Sequence, residues 1–504
     1  MNVVRTRLAP SPTGFLHIGT ARTAIYNYLI AKQSGGQFIL RIEDTDQGRY
    51  VEGATEAIFE GLKWLGLIYD EGPDVGGPFA PYIQTERLKR HKEAADELIQ
   101  NGHAYRCFCT PERLTELREI QKLKKLPPAY DRKCRSLSQE EIDAHLSNGD
   151  TFTIRLKMPL EGEIICEDAI RGKISFPAKD IDDPILLKTD GYPTYHLAAI
   201  IDDHDMEITH VIRTEEWLPS YPKHAYLYTC FGWEQPVYLH GPLVLNDDRS
   251  KMSKRKGDVA LSSYIKKGYL KEALINFLVL LGWSGPNDKE FWTIEELIES
   301  FDFTKVHKSG AIFKPEKLDF FNAHYIRQKS VEELTEILIE YLATNDLLEE
   351  KDDVTLLLKG SLNIEVSRAV FELMVRHGQG RLVTLSDFFP ALGMYFKKEM
   401  QYAPELLTNE KMKTDINTAK QSIDLLVTTL EAFPNEDWEL DKLKNHLLAT
   451  IAENGMKNGQ VLWPMRSALT GETQSPGAFE VAEILGKEET LKRLKVAREI
   501  LSSF

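Results

Sequence analysis

Apolar and polar positions alternate over Val3 to Leu8, and the apolar residues that follow, Ala21, Ala24, Ile25, Tyr28 and Leu29, recur at helical spacing. A strand that hands over to a helix is predicted, with the turn between them at residues 9–17. Phe38 to Ile42, Ile208 to Arg213 and Val237 to Leu239 repeat the short apolar run with helical stripes between them, which predicts an α/β fold around a Rossmann-type parallel sheet. From about Arg87 to Asp182 the pattern changes to a helical stretch (Leu88 to Leu98), a charged helix and a strand pair around Thr151 to Met158 and Lys173 to Phe176. The sheet is therefore expected to be split by an α+β insertion. Beyond Ser330 the pattern is helical, and an all-α C-terminal part is expected. Ser330 with Glu333 predicts a capping box that opens a helix with the stripe Leu334, Ile337, Leu338, Tyr341 and Leu342. Ile423, Leu426 and Leu430, then Trp438, Leu443, Leu447 and Ile451, mark further helices.

A chain of 504 residues is too long for one core and suggests about three to five domains. No apolar run approaches bilayer length, and the strand pattern starts at once without a leader layout, so a cytoplasmic protein with no membrane partner is expected. Five cysteines without a paired framework fit a reducing compartment. The net charge of −15 argues against a polyanionic partner unless local patches do the binding. The candidates are Lys122 to Lys125, Lys251 to Lys256, Arg376 with Arg381, and Lys492, Arg493 and Lys495.

The strand-to-helix turn carries the chemistry. Backbone N–H groups at a helix start attract phosphate oxygens, and Gly19, lacking a Cβ, lets a base or ribose approach the backbone. His17 would face the phosphates and donate to an oxygen that gains charge as a phosphorus becomes five-coordinate. More than two hundred residues on, Lys251-Met252-Ser253-Lys254-Arg255 offers a cationic loop suited to a leaving pyrophosphate. Together the two segments describe adenylyl transfer.

The pair His17-Ile18-Gly19-Thr20 and Lys251-Met252-Ser253-Lys254-Arg255 resembles the two signatures of the class I aminoacyl-tRNA synthetases. Arg5 to Gly14, Arg41 to Asp46, Asp190 to Ala198, Val211 to Trp217, Gln460 to Leu469 and Ser475 to Ala478 narrow the resemblance to the bacterial-type glutamyl-tRNA synthetases, over nearly the whole chain. The resemblance implies ATP-dependent ligation of L-glutamate to tRNA(Glu) through a glutamyl adenylate, with release of AMP and pyrophosphate, by a cytoplasmic monomer. It implies a catalytic domain in two halves (residues 1–86 and 183–250), an inserted domain for the acceptor end (87–182), a stem-contact domain with the lysine loop (251–329) and a helical anticodon-binding region (330–504). By the same resemblance Ser11, His17, Gly19, Glu216, Trp217, Lys251, Ser253, Lys254 and Arg255 contact ATP, with His17 and Lys254 catalytic. Arg7, Ala9, Ser11, Glu43, Tyr195 and Arg213 contact glutamate, and Ala199 replaces an Asn of some relatives. Magnesium is expected on the ATP phosphates, held mainly by them and by water.

Charge gives the glutamate pocket its logic: Arg7 and Arg213 would supply cations for the side-chain carboxylate and Glu43 an anion for the amine. Cys107-Phe108-Cys109 and Cys134 resemble the zinc knuckle of some family members. With Ser136 where zinc-binding relatives have His, and Tyr130 as the only other candidate, a knuckle without zinc is expected. Cys166 and Cys230 read as small buried apolar residues, and His196, His204 and His210 as packing or surface residues. A cofactor-forming nucleotidylyltransferase or a tRNA-base glutamylating paralogue would lack the long helical region, and a non-catalytic RNA-binding relative would have lost His17 or the lysine loop.

Overall fold

The computed structural model describes residues 3–252, 259–359, 363–397 and 399–503. The chain forms two compact units, one of residues up to Tyr264 with Lys271–Leu318, the other of Ile265–Leu270 with the chain from Asp319 onward.

In the first unit a six-stranded sheet runs in the order Gln37–Leu40, Arg5–Leu8, His210–Thr214, Val237–Gly241, Glu163–Asp168 and Gly172–Pro177. The first five strands are mutually parallel and the last is antiparallel. Parallel strands covered on both faces must be apolar, and Phe38, Ile39, Leu40, Val211 and Leu239 are buried. The helix Ile18–Gln33 buries the predicted Ala21, Ala24, Ile25 and Leu29 against this sheet. Chain order reverses beside Arg5–Leu8, whose partner is Gln37–Leu40 on one side and His210–Thr214 on the other. A crevice at the C-terminal ends of these strands follows from that topology.

One expectation fails here. The predicted strand pair around Thr151 to Met158 and Lys173 to Phe176 is not a pair: Thr153–Leu156 joins Ala104–Cys107 and Ile185–Leu187 in a separate three-stranded sheet, whereas Gly172–Pro177 pairs with Glu163–Asp168 at the edge of the large sheet. Period-2 alternation identifies a strand but carries no information about its neighbour.

The second unit is built on helices. Ser330 Oγ accepts from Glu333 N at 3.1 Å and caps the helix Val331–Thr344, but the Glu333 carboxylate reaches Lys329 Nζ at 2.6 Å, so one half of the expected box is made. Ile423, Leu426 and Leu430 are buried on Ile416–Ala432, and Leu443, Leu447 and Ile451 on Leu440–Glu453. Among the helices lies a small antiparallel sheet, Leu348–Glu350, Thr355–Leu358 and Ile364–Ser367, which the helical pattern did not announce. No helix among the described residues is long and apolar enough to cross a membrane.

Candidate functional site

A cleft of about 410 Å³ opens at the C-terminal ends of the sheet strands. Local hydrogen bonding explains its walls. Arg41 N donates to Leu8 O at 3.0 Å and Glu43 N to Pro10 O at 3.0 Å, so the chain after Gln37–Leu40 continues alongside the Ala9–Pro10 turn and carries Glu43 into the cleft. Ile18 N donates to Val259 O at 2.8 Å, and Met252 N to Val244 O at 3.1 Å. Met252 lines the cleft and Val259 meets the start of the His17 helix, so the two ends of the lysine loop are anchored at the site. Ser253, Lys254 and Arg255 lie outside the described residues.

All the other residues expected at the site line this one cleft: Arg7, Ala9, Ser11 and Glu43 with Tyr195 and Arg213, and His17, Gly19, Glu216, Trp217 and Lys251. His17 is the N-cap of Ile18–Gln33, and its Nδ1 accepts from Gly19 N at 2.9 Å. An accepting Nδ1 places the proton of the neutral ring on Nε2, which makes that nitrogen a donor. A Cβ at Gly19 would come 3.3 Å from His17 Nδ1, so glycine also protects this cap. Trp217 is 37% exposed and stands against the Tyr195 ring at 4.5 Å between centroids, a cleft wall rather than core. Glu216 accepts from Thr214 Oγ1 at 2.9 Å and pairs with the exposed Lys251. Ala199 is buried and does not line the cleft, so no polar side chain takes the place of the Asn of some relatives at that position.

The two arginines expected to supply positive charge differ. Arg7 is bidentate to Asp203, Nε to Oδ1 at 3.0 Å and one Nη to Oδ2 at 3.2 Å, so its charge is largely met within the protein. Arg41 bridges Asp203 and Glu43, each at 2.8 Å. Asp202 in turn takes Gln84, Arg87 and His91 at 2.7–2.8 Å. Burial raises the Glu43 carboxyl above its ordinary value despite the opposing pull of Arg41. Arg213, which is 7% exposed, has no carboxylate partner among the described residues. Its Nε donates to His240 Nε2 at 2.8 Å, and one Nη to Tyr195 Oη at 3.0 Å and His224 Nδ1 at 3.2 Å, while the second Nη has no hydrogen-bond partner. An unsatisfied buried donor on a full charge, at a cleft wall, is a site for an anionic ligand group.

Sequence reading missed the supports of these groups. Asp203 lies 196 residues from Arg7 and 162 from Arg41, and Asp202 lies 111–118 residues from Gln84, Arg87 and His91, so no local spacing marks these contacts. His224 and His240 were not singled out, and His196 proves to join them, its Nδ1 3.1 Å from His224 Nε2. Burial pushes His196 and His240 down to about 4 and holds His224 well below its ordinary value. His204 stacks on Trp233 at 3.6 Å, a packing role as expected. Cys166 and Cys230 are buried, also as expected.

Away from the cleft, the ligand atoms of Cys107, Cys109 and Cys134 lie within 4.8 Å of one another. Tyr130 Oη sits 3.2 Å from Cys107 Sγ and 3.6 Å from Cys109 Sγ. Hydrogen bonding from Cys134 is the chief cause that lowers the Cys107 thiol below its ordinary value. Of the basic patches, Lys122, Lys124 and Lys125 are exposed. Arg493 is not a surface cation: it is 2% exposed and donates to the carbonyls of Met394, Tyr395, Lys397 and Leu469.

The sequence matches the family described as tRNA synthetases class I (E and Q), catalytic domain, over residues 3–320, and an anticodon binding domain over residues 331–498. It is 45% identical to a glutamate–tRNA ligase of Clostridium novyi, over 99% of this chain and 98% of that one. It is 44% identical to one of Clostridium botulinum, over 100% and 99%. Among solved structures it is similar to a glutamate tRNA ligase from Elizabethkingia meningosepticum in complex with its amino acid, at 37% identity and a TM-score of 0.88 over 99% of this chain and 100% of that one.

Proposed function

The chain belongs to the glutamate–tRNA ligases within the class I tRNA synthetases, and from that premise we propose how its residues carry out the ATP-dependent ligation of L-glutamate to its tRNA. The observation that carries the reading is Arg213, a buried guanidinium held by neutral acceptors, with one Nη unsatisfied at the cleft wall. The γ-carboxylate of glutamate completes it. Glutamine would present an amide there and leave the guanidinium without a charge partner, a discrimination on the order of 100-fold. Arg7 acts at shorter range, its charge tempered by Asp203. Glu43, a buried carboxylate on a cation-rich wall, receives the substrate ammonium. Ala9, Ser11 and Tyr195 complete the amino-acid pocket.

ATP lies across the start of the His17 helix. The α-carboxylate of glutamate attacks the α-phosphorus, the adenylate forms and pyrophosphate leaves. The terminal ribose hydroxyl of tRNA then takes the glutamyl group and AMP departs. His17, its Nδ1 occupied by Gly19 N–H, directs the Nε2 proton to the phosphate oxygen that gains charge. Gly19, Glu216 and Trp217 border the nucleotide. Lys251, with Ser253, Lys254 and Arg255 of the same loop, meets the departing pyrophosphate. No protein nucleophile is needed, so orientation and fixed charge carry the rate. Magnesium would be held mainly by the phosphates and water, because it dehydrates reluctantly. Against the expectation of a zinc-free knuckle, the three thiols have Tyr130 Oη, the alternative to Ser136 that the sequence offered, beside them as a fourth donor. This set suits a thiophilic ion such as zinc, which would pin the knuckle without entering the reaction.

Arg213→Gln tests the assignment. The KM for glutamate should rise about 100-fold while that for ATP stays within about threefold. An unchanged kcat/KM for glutamate would remove Arg213 from the pocket.

A further inference from the structure

The buried arginines of the first unit fall into two kinds. Arg5, Arg7, Arg41 and Arg87 each reach a carboxylate, Glu71, Asp203, Glu43 or Asp202. Arg22, held by the carbonyls of Leu281 and Pro242, and Arg213 have uncharged acceptors; those of Arg213 are two imidazoles and a phenol. The strand register produces the first of these contacts. His210–Thr214 and Val237–Gly241 are parallel neighbours with Arg213 opposite His240, so the two side chains leave the sheet side by side. His240 is fully buried, and its orientation is set from the other side by Asp168, whose Oδ2 accepts from His240 Nδ1 at 2.6 Å and from His240 N at 3.0 Å. The other oxygen, Oδ1, accepts from Ile170 N at 3.0 Å and Arg171 N at 2.8 Å. A carboxylate with four donors stays ionised and keeps the imidazole proton on Nδ1, which leaves Nε2 as the lone-pair acceptor that Arg213 Nε requires. Had the proton been on Nε2, two donors would face each other. His224 completes the cradle, with Nδ1 accepting from Arg213 and Nε2 donating toward His196.

We propose that His240, fixed in one tautomer by Asp168, and His224 are positioning residues that set the preference for glutamate over glutamine, because they hold Arg213 rigidly without neutralising it. The inference rests on Arg213 as the γ-carboxylate contact. A carboxylate in place of either imidazole would orient Arg213 equally well but would cancel the charge that the substrate must meet. Neutral acceptors give orientation and leave the positive charge for the ligand, while the compensating negative charge stands one residue further away, on Asp168.

Four substitutions at one position separate orientation from charge, assayed as tRNA aminoacylation by the full-length enzyme with glutamate, glutamine and ATP varied in turn. His240→Leu removes the acceptor and should raise the KM for glutamate about 10- to 100-fold while the KM for ATP holds. His240→Gln returns an amide oxygen to the place of Nε2 and should recover most of the loss. His240→Asn keeps a donor for Asp168 but falls short of Arg213, and should behave as His240→Leu does. His240→Glu orients and neutralises Arg213, and should narrow the glutamate-to-glutamine ratio of kcat/KM further than His240→Leu. If His240→Leu does not fold, the contrast between the Gln and Asn variants, with melting temperatures matched, decides the question. Equal KM values for glutamate in those two, or parallel losses for ATP and glutamate in all variants, would overturn the proposal. Arg213→Gln run alongside separates the failures: if it raises the glutamate KM while the His240 series does not, the pocket stands and the positioning role falls. If Arg213→Gln also leaves that KM unchanged, the pocket reading itself fails.

Discussion

Asp203→Asn removes the charge on which two buried guanidinium groups converge. Asp203 is 2% exposed and takes Arg7 Nε at 3.0 Å, a second Arg7 nitrogen at 3.2 Å and Arg41 at 2.8 Å. Asparagine keeps one acceptor oxygen, turns an amide N–H toward donors and leaves Arg7 without its bidentate partner and Arg41 with Glu43 and, at 3.9 Å, Asp202. Breaking a buried pair in this way costs about 3–5 kcal/mol. For a unit of this size that corresponds to a fall of about 5–8 °C in its melting transition, measured by calorimetry on the full chain. Burial alone would raise the Asp203 carboxyl, but Arg7 and Arg41 draw it below its ordinary 3.8. A group depressed in the fold contributes stability that is present above its unfolded pKa and lost as pH falls through its folded value. The gap between wild type and variant should therefore be full at pH 7 and close below pH 3.8. Adding Arg7→Gln to Asp203→Asn removes one unpaired cation and should recover part of the loss. A shift under about 1 °C, or a gap that widens in acid, would refute charge pairing as the source of this core's stability.

His17→Ala should lower kcat by about 10²–10³ and leave the glutamate KM nearly unchanged, because the imidazole acts on charge that develops in the transition state; steady-state kinetics that moved KM alone would count against it. Metal analysis by mass spectrometry should find about one zinc per chain, lost in Cys134→Ser and weakened in Tyr130→Phe, and a metal-free protein with an intact knuckle would reject the four-donor site. Ser330→Ala should cost the second unit about 1 kcal/mol through the lost cap, read by denaturant unfolding, and a neutral result would show that the Glu333 N–H finds another partner.

What could be read from the chain beforehand was local. His17, Gly19 and the turn before them were legible because a strand, a turn and a helix lie consecutively within some thirty residues, and each leaves its own periodicity. The lysine loop was legible as a charge run, and Lys251 and Met252, the described residues at its start, line the cleft. Relations between distant segments were not legible. Asp203 reads as one more polar residue in a helical stripe, although it holds Arg7 from 196 residues away. His240 and Asp168 sit on two neighbouring strands, and nothing in either strand's pattern names the other. Lys173 to Phe176 was recognised as a strand yet given the wrong partner for the same reason. Arg493 stands in a basic run that the sequence offers as a polyanion-binding patch, because charge patterning cannot see the carbonyls that bury it. The short sheet at Leu348–Ser367 escaped notice because strands of three or four residues barely rise above a helical background.

ATP–pyrophosphate exchange by the purified full-length protein, with glutamate or glutamine and with or without its tRNA, tests the central claim most directly. Exchange with glutamate in the presence of tRNA, and about 100-fold less with glutamine, is the expected result. Equal exchange with the two amino acids would contradict a pocket governed by the charge on Arg213.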